Sequence, residues 1–195
     1  AAAVAAGLFY GFAPFRAFHF GHLQVLSSQW MPFALFFLRR YFERRRTGWL
    51  SAAVVALVLQ NLSCGYYLLY FSPFVAAYVL YEMIDRGLAR NGRVWGHVVG
   101  AGLVTLIATM PVLLPYLQLR VSGLPPRPPS EVDYFSADVF SYLTADPDLR
   151  LWGRLVQVFP KPEGTLFPGR VPVVLAAIGL IAHAWRVRML AAGHP

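Results

Sequence analysis

Apolar residues run along this chain in long stretches, separated by short polar or basic links. A membrane helix needs about 20 mostly apolar residues, with a tolerated range of about 17–25. Six segments meet or approach that length: residues 1–15, 23–42, 49–62, 66–84, 97–119 and 171–185. The first begins inside an apolar run with no basic region ahead of it, so it reads as the tail of a span and not as a secretory signal. The second carries Pro32, which is expected to kink it mid-span. The third and sixth are short and call for tilt or local thinning of the bilayer. The expected fold is an all-α, polytopic transmembrane helix bundle with about six spans.

The stretch from Trp49 to Ile84 decides the topology. As one helix its 36 residues would reach about 54 Å, well beyond a hydrocarbon core of about 30 Å. A turn at Asn61-Leu62-Ser63-Cys64-Gly65 divides it into a hairpin of two spans. The hairpin puts residues 39–46, 85–93 and 186–188 on one side of the membrane. With Glu82, just ahead of the second segment, counted beside Glu43 and Asp85, that side holds ten basic and three acidic residues, a net +7, and the other holds seven and six, a net +1. The bias favours the hairpin and makes the Arg-rich side cytoplasmic.

Composition agrees. Hydrophobic residues make up 57% of the chain and charged residues 13%, half the share of a typical soluble domain. Mean hydropathy is +0.52. The single cysteine, Cys64, excludes an internal disulfide and a multi-cysteine metal cluster. The excess of Arg is a topology signal and does not point to nucleic acid, because no exposed aromatic platform interleaves it.

The apolar runs divide the chain into a bundle at 1–119, an outer loop region at 120–170, and a last span with a cytoplasmic tail at 171–195. The outer loop opens on Leu124-Pro125-Pro126-Arg127-Pro128-Pro129, expected to be an extended polyproline stretch. Apolar residues at helical spacing, Phe135, Val139, Tyr142 and Leu143, then predict one surface helix over 130–143, with Ser130 placed to cap it.

Polar residues inside an apolar chain carry the functional information, because burying them in lipid is expensive. They gather in the outer halves of the second and third spans: Gln24, Ser27, Ser28 and Gln29, then Gln60, Asn61 and Ser63. Arg16, His19 and His22 lie at the same level. The cytoplasmic halves show no such collection. At i, i+3, i+6 spacing the last three residues fall within about 120° on a helix. One Arg and two His on one face suit a phosphate, with Arg supplying a donor fork. Two other readings stay open: interfacial residues hydrating a helix end, and metal ligation by the two histidines, for which no nearby carboxylate or Cys speaks. Tyr66 and Tyr67 flank the outer turn, as interfacial anchors or as a stacking surface for a sugar ring. Glu131, Asp133 and Asp138 are the outer carboxylates, and capping accounts for them better than paired acid–base work does.

The stretch Phe12-Ala13-Pro14-Phe15-Arg16, with His19, His22-Leu23-Gln24, Gln29-Trp30-Met31-Pro32, Arg39-Arg40-Tyr41, Gln60-Asn61-Leu62-Ser63 and Tyr66-Tyr67, resembles the middle of large bacterial membrane proteins of the GT-C glycosyltransferase superfamily. Tyr134-Phe135-Ser136-Ala137-Asp138 and Glu163-Gly164-Thr165-Leu166-Phe167-Pro168-Gly169 are similar to that group as well. The resemblance implies a multispanning enzyme of the bacterial inner membrane that uses a polyprenyl-phosphate sugar donor and an acceptor on the outer face. It also implies that the catalytic acidic residue sits in a first outer loop upstream of residue 1, so no catalytic residue is assigned. Arg16, His19, His22, Gln24, Gln29, Gln60, Asn61, Tyr66 and Tyr67 are then the candidate contacts to membrane lipid and lipid-linked sugar. No metal site or cofactor is assigned, and a divalent cation accompanying the phosphate donor stays open. The competing readings are a lipid or solute transporter or flippase, expected to show broken helices at the bilayer midplane, and a structural membrane subunit without chemistry.

The topology is directly testable. With Cys64 replaced, a cysteine at Arg45 or Arg90 is expected to be shielded from an impermeant thiol reagent in intact cells, and one at Ser122 to be labelled. The opposite pattern would reverse the orientation.

Overall fold

The structure is a computed structural model that describes residues 2–18, 22–123 and 127–191. It is helical throughout: among the described residues there is no strand, only an isolated antiparallel bridge between Thr144 and Gln157. Three helices are long and apolar enough to cross a membrane, Gly65–Asp85, Gly92–Leu119 and Arg170–Met189. The chain is thus an all-α membrane protein by its helices. It forms two compact units, one within 22–125 and one joining 1–21 to 126–195.

The 22–125 unit begins with a short helix, α3 (Leu23–Leu26), and continues through α4 (Trp30–Arg44), α5 (Thr47–Ser63), α6 (Gly65–Asp85) and α7 (Gly92–Val121). The expected continuous second span is therefore broken. Residues 27–29 are not helical, and Pro32 falls in the first turn of α4, where a missing N–H removes no helical bond. Proline here follows a helix start and does not kink a span.

Such a break leaves backbone groups without helical partners, which are costly to bury unsatisfied. The neighbouring helices satisfy them. The Gln60 side chain on α5 donates from Nε2 to the Ser27 carbonyl at 2.7 Å and accepts the Trp30 N–H at Oε1 at 3.2 Å. Tyr67 on α6 donates its hydroxyl to the Val25 carbonyl. The Met31 N–H reaches the Ser28 carbonyl at 3.2 Å. Gln60 is completely buried in doing this.

The packing below the break follows from sequence spacing. Ala34, Leu38, Tyr41 and Phe42 make one buried stripe on α4. Leu50, Ala53, Ala56 and Gln60 make the facing stripe on α5, where the two alanines let the helix backbones approach. The link between α4 and α5 is only Arg45 and Arg46, with Arg45 left-handed at φ 55°. Between α5 and α6 only Cys64 leaves the helical region, at φ −160° and ψ 120°. Ser63 stays helical because its hydroxyl donates back to the Leu59 carbonyl at 2.7 Å. The hairpin expected at 61–65 is thus present, with a shorter turn. Leu50 and Ala53 pack with Val79 and Met83, while Ala56 packs with Phe71, so α5 and α6 run antiparallel. Tyr41, Phe42, Leu50, Met83 and Val94 share one cluster, which puts the Arg39–Arg46 and Arg86–Arg93 segments at the same end of this unit.

Glu82 is buried at that end, accepting Arg86 Nε at 2.5 Å and the Tyr78 hydroxyl at 2.7 Å. A carboxylate survives burial only when paired in this way.

The other unit holds α1 (Ala2–Gly11), α2 (Pro14–Phe18), α8 (Pro129–Phe135), a 3₁₀ turn at Val139–Leu143, an irregular segment to residue 169, and α9 (Arg170–Ala191). Half of the expected polyproline stretch, residues 124–126, lies outside the described residues. Pro128, at φ −56° and ψ 140°, has the polyproline conformation and is the N-cap of α8. Ser130 therefore lies inside the helix. The single helix expected over 130–143 is two pieces: α8 ends at Phe135, with Ser136 extended at its C-cap, and Asp138 starts the 3₁₀ turn. Its carboxylate accepts the Phe140 and Ser141 N–H groups, while the Ser141 hydroxyl accepts the Asp138 N–H, a reciprocal capping box. The irregular segment has its own small core of Ala145 and Phe167. Thr144 donates to the Val158 carbonyl at 2.7 Å, and Gln157 donates to those of Ala145 and Gly153, each at 2.7 Å.

Replacing Gln60 by Leu would strand the Ser27 carbonyl and the Trp30 N–H together. At about 1–3 kcal/mol for each unsatisfied buried group, Gln60→Leu is expected to destabilise the chain by about 2–6 kcal/mol, read from denaturant titration in mild detergent. A loss under about 0.5 kcal/mol, the level of an ordinary surface change, would mean that the break is held without this amide.

Candidate functional site

Gln60 and Asn61 are adjacent on α5, about 100° apart around the helix, and this separates their roles. Gln60 faces the break and both ends of its amide are used there. Asn61 faces the other way, into a cleft of about 610 Å³ that α5 floors and α6 and α7 wall. Leu68, Val75 and Val79 line it from α6, and Val98, Ala101 and Leu106 from α7. On α6 it runs from Leu68 to Leu80, a length of about 18 Å at 1.5 Å per residue.

Three polar side chains interrupt these apolar walls: Asn61, Ser72 and Thr105. Thr105 returns its hydroxyl to the Ala101 carbonyl at 2.9 Å. Asn61 is 5% exposed and lines the cleft; no hydrogen bond joins its side-chain amide to another described residue, and since among the described residues no buried side-chain N or O is left unsatisfied, its amide atoms open onto the cleft. Such an amide can offer its donors and its acceptor to a polar group that enters the cleft. Asn61 lies two residues before the end of α5, so its amide is at the end of the bundle opposite the arginine clusters.

The remaining candidates are distributed unevenly. Tyr67 joins Gln60 at the break. Tyr66 is exposed, as are Gln24 on α3 and Gln29, the N-cap of α4, so these three do not converge on the cleft. Arg16 belongs to the other unit, on α2, with its guanidinium 5.5 Å from the centre of the Tyr10 ring. His22 is the exposed N-cap of α3 at φ −124° and ψ 59°, which is not helical. His19 lies outside the described residues. The single helical face expected for Arg16, His19 and His22 would have to pass through the backbone of His22, and that backbone leaves the helical region.

Among the outer carboxylates, Asp138 is occupied. Partial desolvation pushes its pKa up, but the Lys161 ammonium, 3.3 Å away, and the Phe140 and Ser141 N–H groups outweigh that and hold the carboxyl below the usual carboxylate range. Glu131 stands 3.8 Å from Arg127. Among the described residues no group of three or more His, Cys, Asp or Glu side chains is placed to hold a metal ion.

One collection was missed. The Arg-rich end, expected to carry no polar cluster, has Tyr41 buried with its hydroxyl 3.0 Å from His97 Nδ1, beside Arg45, Asn91 and Arg93. The signal was present in each helix separately: Tyr41 belongs to the buried stripe of α4, and His97 is the one Asp, Glu, Lys, Arg or His on α7 between Arg93 and Arg120. Nothing local relates two residues 56 positions apart.

Comparison with known proteins yields no match to any family model, to any curated protein or to any solved structure.

Proposed function

We propose that this chain is part of an integral membrane glycosyltransferase that transfers a sugar from a polyprenyl-phosphate donor to an acceptor on the outer face of the membrane. The observation that carries this reading is the Asn61 amide, which opens onto one end of an apolar cleft about 18 Å long. A ligand that is a long hydrocarbon with a polar head matches both features at once. Its chain would lie between α6 and α7, and its head would hydrogen-bond to Asn61. The GT-C resemblance supplies the reaction: the lipid phosphate leaves as the sugar is transferred, and Arg16, with His19 and His22, is the proposed source of positive charge for it. In this reading the chain has about six spans in a bacterial inner membrane, with the arginine clusters cytoplasmic and 120–170 outside, and the catalytic acid lies upstream.

The break between α3 and α4 favours a second reading, a lipid transporter, because transporters build substrate sites at discontinuous helices. Those breaks lie at the bilayer midplane. This one is bridged by Gln60, three residues from the end of α5 and so about 4.5 Å from it, which favours the enzyme.

The test is binding of a photoactivatable polyprenyl-phosphate sugar to the chain in nanodiscs. Asn61→Leu is expected to weaken labelling about three- to tenfold, as for one neutral hydrogen bond. Arg16→Ala is expected to weaken it tenfold or more, as for a charge-assisted bond. Arg127→Ala, whose partner Glu131 is a solvent-exposed neighbour, is expected to change it little. Equal, small effects of all three would remove the donor site. Movement of intact donor between leaflets, with no sugar transferred by the complete protein, would favour the transporter.

A further inference from the structure

At the Arg-rich end of the 22–125 unit a second concavity, about 290 Å³, is bounded by Tyr41, Arg45, Asn91, Arg93 and His97, with Leu88 and Val94 beneath. Its chemistry is one-sided. The carboxylates Glu43 and Glu82 at this end are taken: Arg39 and Arg40 each reach Glu43 at 3.0 Å, and Arg86 reaches Glu82 at 2.5 Å. Among the described residues, neither Arg45 nor Arg93 has a carboxylate partner. Asn91 has spent its acceptor, Oδ1, on the N–H groups of Arg93 at 3.1 Å and Val94 at 3.2 Å, so its amide can only donate. The Tyr41 hydroxyl and His97 Nδ1 lie 3.0 Å apart, and in the tautomer in which Tyr41 donates, Nε2–H of the imidazole is a further donor. The first turn of α7 adds its dipole in the same sense. Two guanidiniums and several donors, with hardly an acceptor among them, select an anion rich in oxygen acceptors.

The backbone gives a second, independent reason. Arg45 caps α4 in the left-handed conformation, at φ 55° and ψ 26°, a position that glycine usually occupies. A long cationic side chain at a strained backbone position points to a function for that side chain. Depth narrows the ligand. Arg93 and His97 lie in the first two turns of a helix long enough to cross a membrane. Trp49 and Trp95, which sit near the starts of α5 and α7, are of the type that marks the headgroup layer. A lipid phosphate resides at that depth, and basic pockets between membrane helices hold such headgroups.

The geometry points to a site for the phosphate of an anionic phospholipid, held by Arg45 and Arg93 with Asn91 and His97 as further donors. It rests only on the membrane-length helices and is independent of the glycosyltransferase reading. The experiment places the whole chain in phosphatidylcholine nanodiscs doped with phosphatidylglycerol and counts the phosphatidylglycerol retained on release into the gas phase. Wild-type chain is expected to retain it. Arg45→Gly and Arg93→Gln are each expected to lower retention about tenfold, and Arg44→Gln, which removes the same charge at the same end outside the pocket, to leave it unchanged. Arg45→Gly is also expected to keep or raise thermal stability in pure phosphatidylcholine, because it relieves the left-handed residue, so its loss of lipid would not be a loss of fold. Equal losses for Arg44→Gln and Arg93→Gln would reduce the pocket to diffuse attraction and overturn the site. Competition by inorganic phosphate as effective as that by phosphatidylglycerol would overturn the lipid assignment.

Discussion

One side-chain amide holds the architecture of the 22–125 unit together. Gln60 carries a donor and an acceptor on one rigid group, and the break between α3 and α4 exposes one acceptor and one donor, the Ser27 carbonyl and the Trp30 N–H. In water either group would find a partner; in an apolar interior neither would without the amide. With the amide in place α4 starts afresh at Trp30, with Pro32 in its first turn, and its buried stripe meets α5 from Ala34 to Phe42. Tyr67 fixes the same segment from α6. The break is thereby locked to the two helices that also form the floor and one wall of the cleft.

That use of Gln60 determines what is left for function. Of the two amides at the end of α5, one is saturated by backbone and the other opens onto the cleft. Neighbouring residues that look equivalent in sequence thus divide into a structural group and a group available to a ligand. The same division recurs at the opposite end, where Glu43 and Glu82 absorb three arginines and leave Arg45 and Arg93 unmatched. In both places the informative residue is the one whose neighbours have been satisfied by something else.

Part of this was legible in the sequence. The hairpin at Cys64 was, because 36 apolar residues are too long for one span and because only a hairpin brings the arginine clusters to one end. The polar grouping of Gln60 and Asn61 was also visible. The break at 27–29 was not, since proline in an apolar run reads equally as a kink or a helix start, and the group that decides between them lies 33 residues from Ser27. The helix over 130–143 failed for a local reason: apolar spacing continued through Asp138, whose short carboxylate competes for the backbone and restarts the chain in a 3₁₀ turn. His22 shows the same limit, because i, i+3, i+6 spacing implies a shared face only where the helix continues.

The central claim is that the Gln60 amide substitutes for backbone pairing at the helix break. Amide hydrogen exchange at Trp30, followed in nanodiscs for the wild-type chain and for Gln60→Leu, tests it most directly. The account predicts a protected Trp30 N–H in the wild type and a rapidly exchanging one in the variant, with the amides of α7 between residues 98 and 106 unchanged. Equal protection of Trp30 in both proteins would contradict it.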